Sequence, residues 1–205
     1  MKPRPPGHVR IIAGRLRGSK LPVADRPGLR PTSDRVRETL FNWLQPALPG
    51  AQVLDLFAGT GALGFEAASR GAAAVLCVER DPALAANLRE QAARLHADAV
   101  RVREADALAL LREPPTAAFD IVFLDPPFDA GLWEPAAALL APWLAPSAWV
   151  YVEAPAGRTP ALPAGWRPHR ESATRDVHYA VFRTPAAGPA ATLPAGLPPQ
   201  GDLTA

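Results

Sequence analysis

Apolar residues in this chain fall into short blocks separated by polar, glycine-rich or proline-rich breaks, and two periodicities alternate between the breaks. Near-continuous apolar blocks at 51–57, 73–79, 99–104, 119–124 and 147–153 predict strands buried on both faces. Between them, apolar residues at helical spacing predict helices over 62–70, 82–96 and 131–141 and a helical turn over 106–112. This alternation predicts an α/β fold of Rossmann-like type, a mostly parallel sheet with helices on both faces, whose ligands bind beyond the carboxyl ends of the strands. Upstream, Val36, Leu40, Trp43 and Leu44 form an apolar stripe on a helix expected over 34–44, capped by Thr32 or Ser33 and ended by Pro46, Pro49 and Gly50.

Both ends of the chain break the alternation. Val9–Ala13 and Lys20–Val23 flank Gly14-Arg15-Leu16-Arg17-Gly18, a short hairpin with arginines at its turn. His169–Glu171 and Val177–Arg183, joined by 172–176, predict a terminal antiparallel hairpin, which brings the sheet to seven strands. From Thr184 the chain is rich in Ala, Pro and Gly, with Asp202 its only charged side chain, and is expected to be disordered. The expected units are a basic hairpin and helix over 1–45, the α/β domain over 46–183 and the tail over 184–205.

Charge adds to this picture. The net charge is only +2, but residues 1–37 hold ten basic side chains against Asp25 and Asp34, a surplus of eight that leaves −6 on the remainder. A basic arm on a mildly acidic domain suits a polyanion, and Arg10, Arg15, Arg17, Lys20, Arg30, Arg35 and Arg37 are the candidate contacts. A merely solvated arm is the plainer alternative. The 48% hydrophobic content can furnish a substantial core. The single cysteine, Cys77, lies inside an apolar block and is expected in the core of a reduced, cytoplasmic protein. No apolar run approaches the ~20 residues of a membrane span, so no membrane partner is expected. No Cys/His cluster has metal-ligand spacing, so no metal is expected.

Two motifs carry the candidate chemistry. In the first, the block ending at Leu56 runs through Phe57 into Gly59, Gly61 and Gly64, the G-x-G-x-x-G spacing of a nucleotide-binding strand–turn–helix. Glu79 closes the next block about 20 residues on, where an acid binds ribose hydroxyls. Asp55 argues against a dinucleotide, because a carboxylate four residues before Gly59 would repel a pyrophosphate and welcome a cation. An ammonium-bearing sulfonium nucleoside, S-adenosylmethionine, fits these acids better than NAD. A strand–helix turn with no ligand is the bland alternative.

The second motif is Asp125-Pro126-Pro127-Phe128, directly after the block at 119–124. It combines a carboxylate, a backbone carbonyl stiffened by two prolines, and an aromatic face. Those parts can hold a planar amino group by its two N–H bonds and stack on its ring. Asp55, Glu79, Asp106 and Asp125 each close a predicted strand at the ligand-binding edge, which a solvated surface does not explain.

Asp55-Leu56-Phe57-Ala58-Gly59-Thr60-Gly61, Glu79, Asp106 and Asp125-Pro126-Pro127-Phe128 resemble, in order and spacing, the motifs of class I S-adenosylmethionine-dependent amino-methyltransferases. Arg10-Ile11-Ile12-Ala13-Gly14, Arg17-Gly18 and especially the more specific Arg30-Pro31-Thr32-Ser33-Asp34-Arg35-Val36-Arg37-Glu38-Thr39 resemble the RsmD family. The likeness covers roughly residues 8–183. The late hairpin departs from the family pattern in lacking a glycine near Ala173, and the tail is additional.

The resemblance implies a class I methyltransferase fold and methylation of a guanine N2 in bacterial 16S ribosomal RNA, in a partly assembled small subunit, by a monomer. S-adenosylmethionine would be the donor and S-adenosylhomocysteine the product. Asp55, Phe57, Gly59, Gly61, Glu79, Arg80, Asp106 and Ala107 would bind the donor, and Asp125, Pro126, Pro127 and Phe128 the target amine. A DNA-adenine or protein-glutamine N-methyltransferase, an NAD enzyme and a non-catalytic RNA-binding module are the alternatives.

Overall fold

A computed structural model describes residues 7–24 and 32–186. The expected tail from Ala187 onward, the expected RNA contact Arg30 and its neighbour Pro31 lie outside the described residues. The chain opens with a small antiparallel pair, β1 (His8–Arg10) and β2 (Lys20–Pro22), followed by α1 (Asp34–Leu44). The main sheet takes β3 (Gln52–Asp55), β4 (Ala74–Glu79), β5 (Val100–Glu104), β6 (Phe119–Leu124), β7 (Leu144–Pro155), β8 (Arg167–Ala173) and β9 (Val177–Arg183). Its helices are α2 (Ala62–Ser69), α3 (Pro82–Arg94), α4 (Ala107–Leu111) and α5 (Trp133–Leu139).

The strand order is β5-β4-β3-β6-β7-β9-β8, with β5, β4, β3, β6 and β7 parallel and the last pairings antiparallel. This is the seven-stranded α/β sheet that the alternating pattern predicts. The chain leaves β3 toward β4 and β5 on one side and later returns to β6 and β7 on the other. Between β3 and β6, therefore, successive connections diverge and open a crevice at the carboxyl edge.

Side-chain caps start α1 and α3, and the helices bury apolar faces. The Ser33 side chain accepts from Val36 N at 3.4 Å to cap α1, and Asp81 accepts from Ala83 N and Leu84 N, at 2.8 and 3.1 Å, to cap α3. Val36, Leu40, Phe41 and Leu44 of α1 are buried against the sheet, with Phe41 edge-on to Phe123 at 5.8 Å. Trp43, placed on the same stripe, stacks on Tyr179 at 5.6 Å. One sheet face packs on α1, α2 and α3 through residues such as Val53, Cys77 and Phe123. The opposite face packs on α4 and α5 through Leu54, Val122 and Trp133.

Several elements differ in extent from their expectation. β7 runs from Leu144 to Pro155 rather than 147–153, because it gains ladder partners on both flanks, β6 and β9. The helix expected over 131–141 contracts to Trp133–Leu139, and a 3-10 turn over Ala141–Trp143 accommodates Pro142. β3 stops at Asp55 as the chain turns into the glycine loop.

The boundary drawn at residue 45 marks no break in packing. Ile11, Leu16 and Leu21 share a single core with α1 and the sheet. Backbone bonds also tie 11–16 to α2. Glu66 accepts from Ile12 N at 2.7 Å and Ala13 N at 3.0 Å, and Ser69 engages Ala13, Arg15 and Leu16. Gly14, at φ +79°, lies so close to α2 that a Cβ there would sit 1.9 Å from the Ser69 carbonyl oxygen.

Candidate active site

The crevice at the β3/β6 divergence holds a cleft of about 630 Å³. Asp55, Glu79, Asp106 and Asp125 all line it, each delivered by the carboxyl end of a different strand. Phe57, Gly59, Arg80, Ala107, Pro126, Pro127 and Phe128 line it as well. Gly61, expected to bind the donor as well, is buried as the N-cap of α2 and is not among the lining residues.

The glycine loop is built on backbone geometry. Gly59 and Gly61 have φ of +52° and +78°. Gly64 lets α2 approach the sheet: a Cβ there would meet Cys77 Sγ at 2.6 Å and Asp55 Oδ2 at 3.1 Å. Buried Asp55 accepts from Gly64 N at 2.9 Å, which fixes its carboxyl against the start of α2. Burial pushes that carboxyl up to about 7, with Glu79 adding repulsion and the Gly64 bond opposing both.

Glu79 braces the loop from β4. Its Oε2 accepts from Gly59 N at 2.9 Å and its Oε1 from Asp81 N at 2.8 Å. Asp106 caps α4 by accepting from Ala109 N at 2.9 Å. These two acids therefore position backbone as well as face the cleft.

The second motif sits across the crevice. Asp125 is partly open to the cleft, yet packed closely enough that desolvation holds its carboxyl well above the usual range. Repulsion from Glu153 and, more weakly, Asp55 adds to the shift, while a hydrogen bond from Thr32 Oγ1 to Asp125 Oδ2 at 3.2 Å lowers it. Pro127 at φ −52° and ψ 131° leads into a 3-10 turn at Phe128–Ala130, and the Phe128 ring lies 6.1 Å from Trp133, tilted by 35°.

Glu153 and Thr32 are lining residues that the motifs alone did not single out. Glu153 is buried near the end of β7, receives the Tyr151 hydroxyl at its Oε2, and its backbone carbonyl accepts from Trp133 Nε1 at 2.7 Å. A signal for it was present, since Glu153 closes the block at 147–153 as the other acids close theirs. Thr32 belongs to the Arg30–Thr39 block, but its bond to Asp125 spans 93 residues of sequence, which no local pattern reveals.

The basic set divides. Arg10, Arg15, Arg17, Lys20 and Arg35 are exposed, and Arg15 also donates to the His96 carbonyl at 2.9 Å. Arg37 corrects the expectation of an RNA contact: it is fully buried. It donates to Asp34 at 2.7 Å and to the Arg10 carbonyl at 2.9 Å, and pairs with buried Glu66 at 3.6 Å. Its guanidinium anchors α1 and the hairpin to α2 and cannot reach a phosphate.

The cleft suits a cationic nucleoside. Its lining includes Asp55, Glu79, Asp106, Asp125 and Glu153, with Arg80 the one basic side chain among the described lining residues. A polyphosphate would meet those carboxylates, whereas an ammonium and a sulfonium centre would be drawn to them. Among the described residues no group of His, Cys, Asp and Glu side chains could hold a metal ion, and no helix is long and apolar enough to cross a membrane.

Comparison with known proteins agrees with this geometry. Residues 9–183 match the family described as conserved hypothetical protein 95. The chain is 48% identical over 185 residues to "Ribosomal RNA small subunit methyltransferase D" of Escherichia coli strain K12, covering 89% of this chain and 93% of that protein. It is 44% identical to the protein of the same name from Haemophilus influenzae, over 88% of this chain and 96% of the relative. The solved structure of yhhF from Escherichia coli superposes with a TM-score of 0.82 at 44% identity, covering 88% of this chain and all of that one.

Proposed function

Because the chain belongs to the RsmD family, the one described as conserved hypothetical protein 95, we propose that it methylates the exocyclic N2 of a guanine in 16S ribosomal RNA. Family membership makes it an S-adenosylmethionine-dependent methyltransferase of small-subunit ribosomal RNA. The non-catalytic, DNA-adenine, protein-glutamine and NAD readings are thereby set aside. The choice of an amine rests on one observation: Asp125, Pro126 and Phe128 line the same cleft as Gly59 of the glycine loop.

S-adenosylmethionine, when bound, supplies an electrophilic methyl group on a sulfonium centre. The Gly59–Gly61 loop would hold its methionine part, with Asp55 toward the ammonium. Glu79, with Arg80 beside it, would take the ribose hydroxyls, Asp106 and Ala107 would bind the adenine, and Phe57 would close the wall.

Asp125 and the Pro126 carbonyl each accept one N–H of the target amine, and Phe128 stacks on its ring. An aryl amine's lone pair is delocalised into the ring. Two acceptors set off the ring plane favour a pyramidal nitrogen and aim its lone pair into the cleft. Pro127 keeps the turn rigid and, having no N–H, adds no competing donor. The nitrogen becomes acidic as it gains positive charge, and its proton passes to Asp125, directly or through water. Asp125 must be ionised to do this. A cation in the cleft favours that form, and so does the Thr32 hydroxyl.

The target guanine must leave its stack to enter, which a loop or a partly assembled subunit makes easier. Arg10, Arg15, Arg17, Lys20 and Arg35 contact the backbone of that RNA; Arg30 belongs to the same basic segment. The enzyme acts on the partly assembled small subunit as a cytoplasmic monomer.

Asp125→Ala should lower methyl transfer by roughly 10²–10³-fold or more, the loss typical of a single aimed stabilising group. Donor affinity, measured by calorimetry, should stay within a few-fold. Mass mapping of small-subunit RNA after reaction with the wild type should place the new methyl on guanine N2. Near-normal turnover in the variant, or a methyl on another atom, would overturn the mechanism.

A further inference from the structure

The face of the sheet that carries α1 continues past it, midway along β7, into a basic and aromatic row. Trp149 pairs across the ladder with Arg183, and Arg183 with Arg167, so the three stand in line over β7, β9 and β8. The Arg183 guanidinium lies 4.1 Å above the Trp149 ring. A register shift between Pro168 and Arg170 brings the exposed His169 ring edge-on to Trp149 at 4.8 Å. Arg170, exposed, pairs with Val181, two residues from Arg183 on the same face.

Like charges directly opposite one another on a ladder are destabilising. Arg167 and Arg183 nevertheless occupy such a pair, and none of the ion pairs among the described residues involves either of them or Arg170. A cleft of about 400 Å³ opens between the two, lined also by Thr184, whose buried hydroxyl has no hydrogen-bond partner among the described residues. An anion seated there would relieve the repulsion. The half-buried Trp149 ring, already stacked with the planar cation of Arg183, suits a base or a ribose edge.

We propose that Arg167, Arg170 and Arg183, with Trp149 and His169, form a second RNA-backbone contact surface, separate from the N-terminal hairpin. This rests on the proposed RNA substrate. Trp149 lies four residues before Glu153, roughly 13 Å from the cleft edge at about 3.3 Å per residue. The hairpin lies on the same face beyond α1, where Arg94 of α3 donates to the Lys20 carbonyl and Arg15 to His96. The two basic groups therefore flank α1, and an RNA fold entering the cleft between them is held from both sides.

The test compares the full-length wild type with Arg167→Gln/Arg183→Gln and with Arg167→Lys/Arg183→Lys. RNA binding is measured against salt concentration, with small-subunit ribosomal RNA as the probe, alongside donor binding and thermal melting. Two lost phosphate contacts should reduce the slope of log K against log salt by about 1.4–1.8. KM for RNA should rise, with kcat and donor affinity unchanged. The lysine pair should keep the slope, because its charge remains, so a retained slope there together with a lost slope in the glutamine pair excludes misfolding as the cause. An unchanged slope in the glutamine pair, or one lost equally in both variants, would overturn the surface. Failure of the wild type itself to methylate small-subunit RNA would instead overturn the substrate reading on which it rests.

Discussion

At the residue scale the reaction centre is a set of acids whose charge states are set by one another and by a few neutral donors. Thr32 is the clearest case. Its hydroxyl donates a hydrogen bond that draws the Asp125 carboxyl down, against burial and the Glu153 charge. Thr32→Val keeps the side-chain shape and removes that bond, so the Asp125 carboxyl should rise further. Since transfer needs the ionised form, the acid limb of the pH–rate profile should move to higher pH. The rate at the alkaline plateau should recover, and donor affinity should be unaffected. An acid limb that does not move would show that Thr32 is only the end of α1 and does not tune Asp125.

Among the elements, α2 does more than follow the glycine loop. Glu66, fully buried at its centre, receives Ile12 N, Ala13 N and Arg70 Nε and faces the Arg37 guanidinium. One carboxylate thus joins the hairpin, α1 and α2. Glu66→Gln removes the negative charge from between two buried cations, leaving Arg37 only its pair with Asp34, and supplies one acceptor where two backbone donors need two. Breaking a buried pair in this way costs about 3–5 kcal/mol. Chemical denaturation should register a loss of that size, and limited proteolysis should cut the 12–19 segment faster. Intact proteolytic resistance with wild-type stability would mean that the hydrophobic contacts of Ile11, Leu16 and Leu21 hold the hairpin without the latch.

For the whole molecule, the acid-lined crevice trades stability for ligand fit. An Asp side chain free in the unfolded chain has its ordinary value of 3.8, whereas burial pushes Asp55 in the fold up to about 7. The folded state therefore holds the proton more tightly. The stability this lends is fully present below about pH 4 and is lost as pH rises through about 7. Ligand-free wild type should lose stability relative to Asp55→Asn, whose carbonyl still accepts from Gly64, by up to about 1.4 kcal/mol per pH unit across that window. Parallel melting curves from pH 4 to 8 for the two proteins would remove the burial argument. Donor binding should rise over the same interval in the wild type alone, because the ionised carboxyl is the form that attracts an ammonium.

Pattern along the chain specifies the α/β sheet, its edge acids and the two motifs. Those features are periodic or contiguous: a strand reads as an apolar block, a helix as a stripe, and a strand-end acid as the residue that closes the block. Asp55, Glu79, Asp106 and Asp125 were legible for that reason, and Glu153 was legible by the same rule though not singled out. Tertiary structure alone decided what depends on partners distant in the chain. Arg37 reads as one more cation of a basic arm until packing buries it against Glu66, and Thr32 reads as a helix cap until α1 swings its hydroxyl onto Asp125. The row of Trp149, Arg183 and Arg167 exists only through the register of three strands joined by long connections. Burial and cross-strand register are properties of the folded chain as a whole, set by the summed packing of many segments, so no window of sequence contains them.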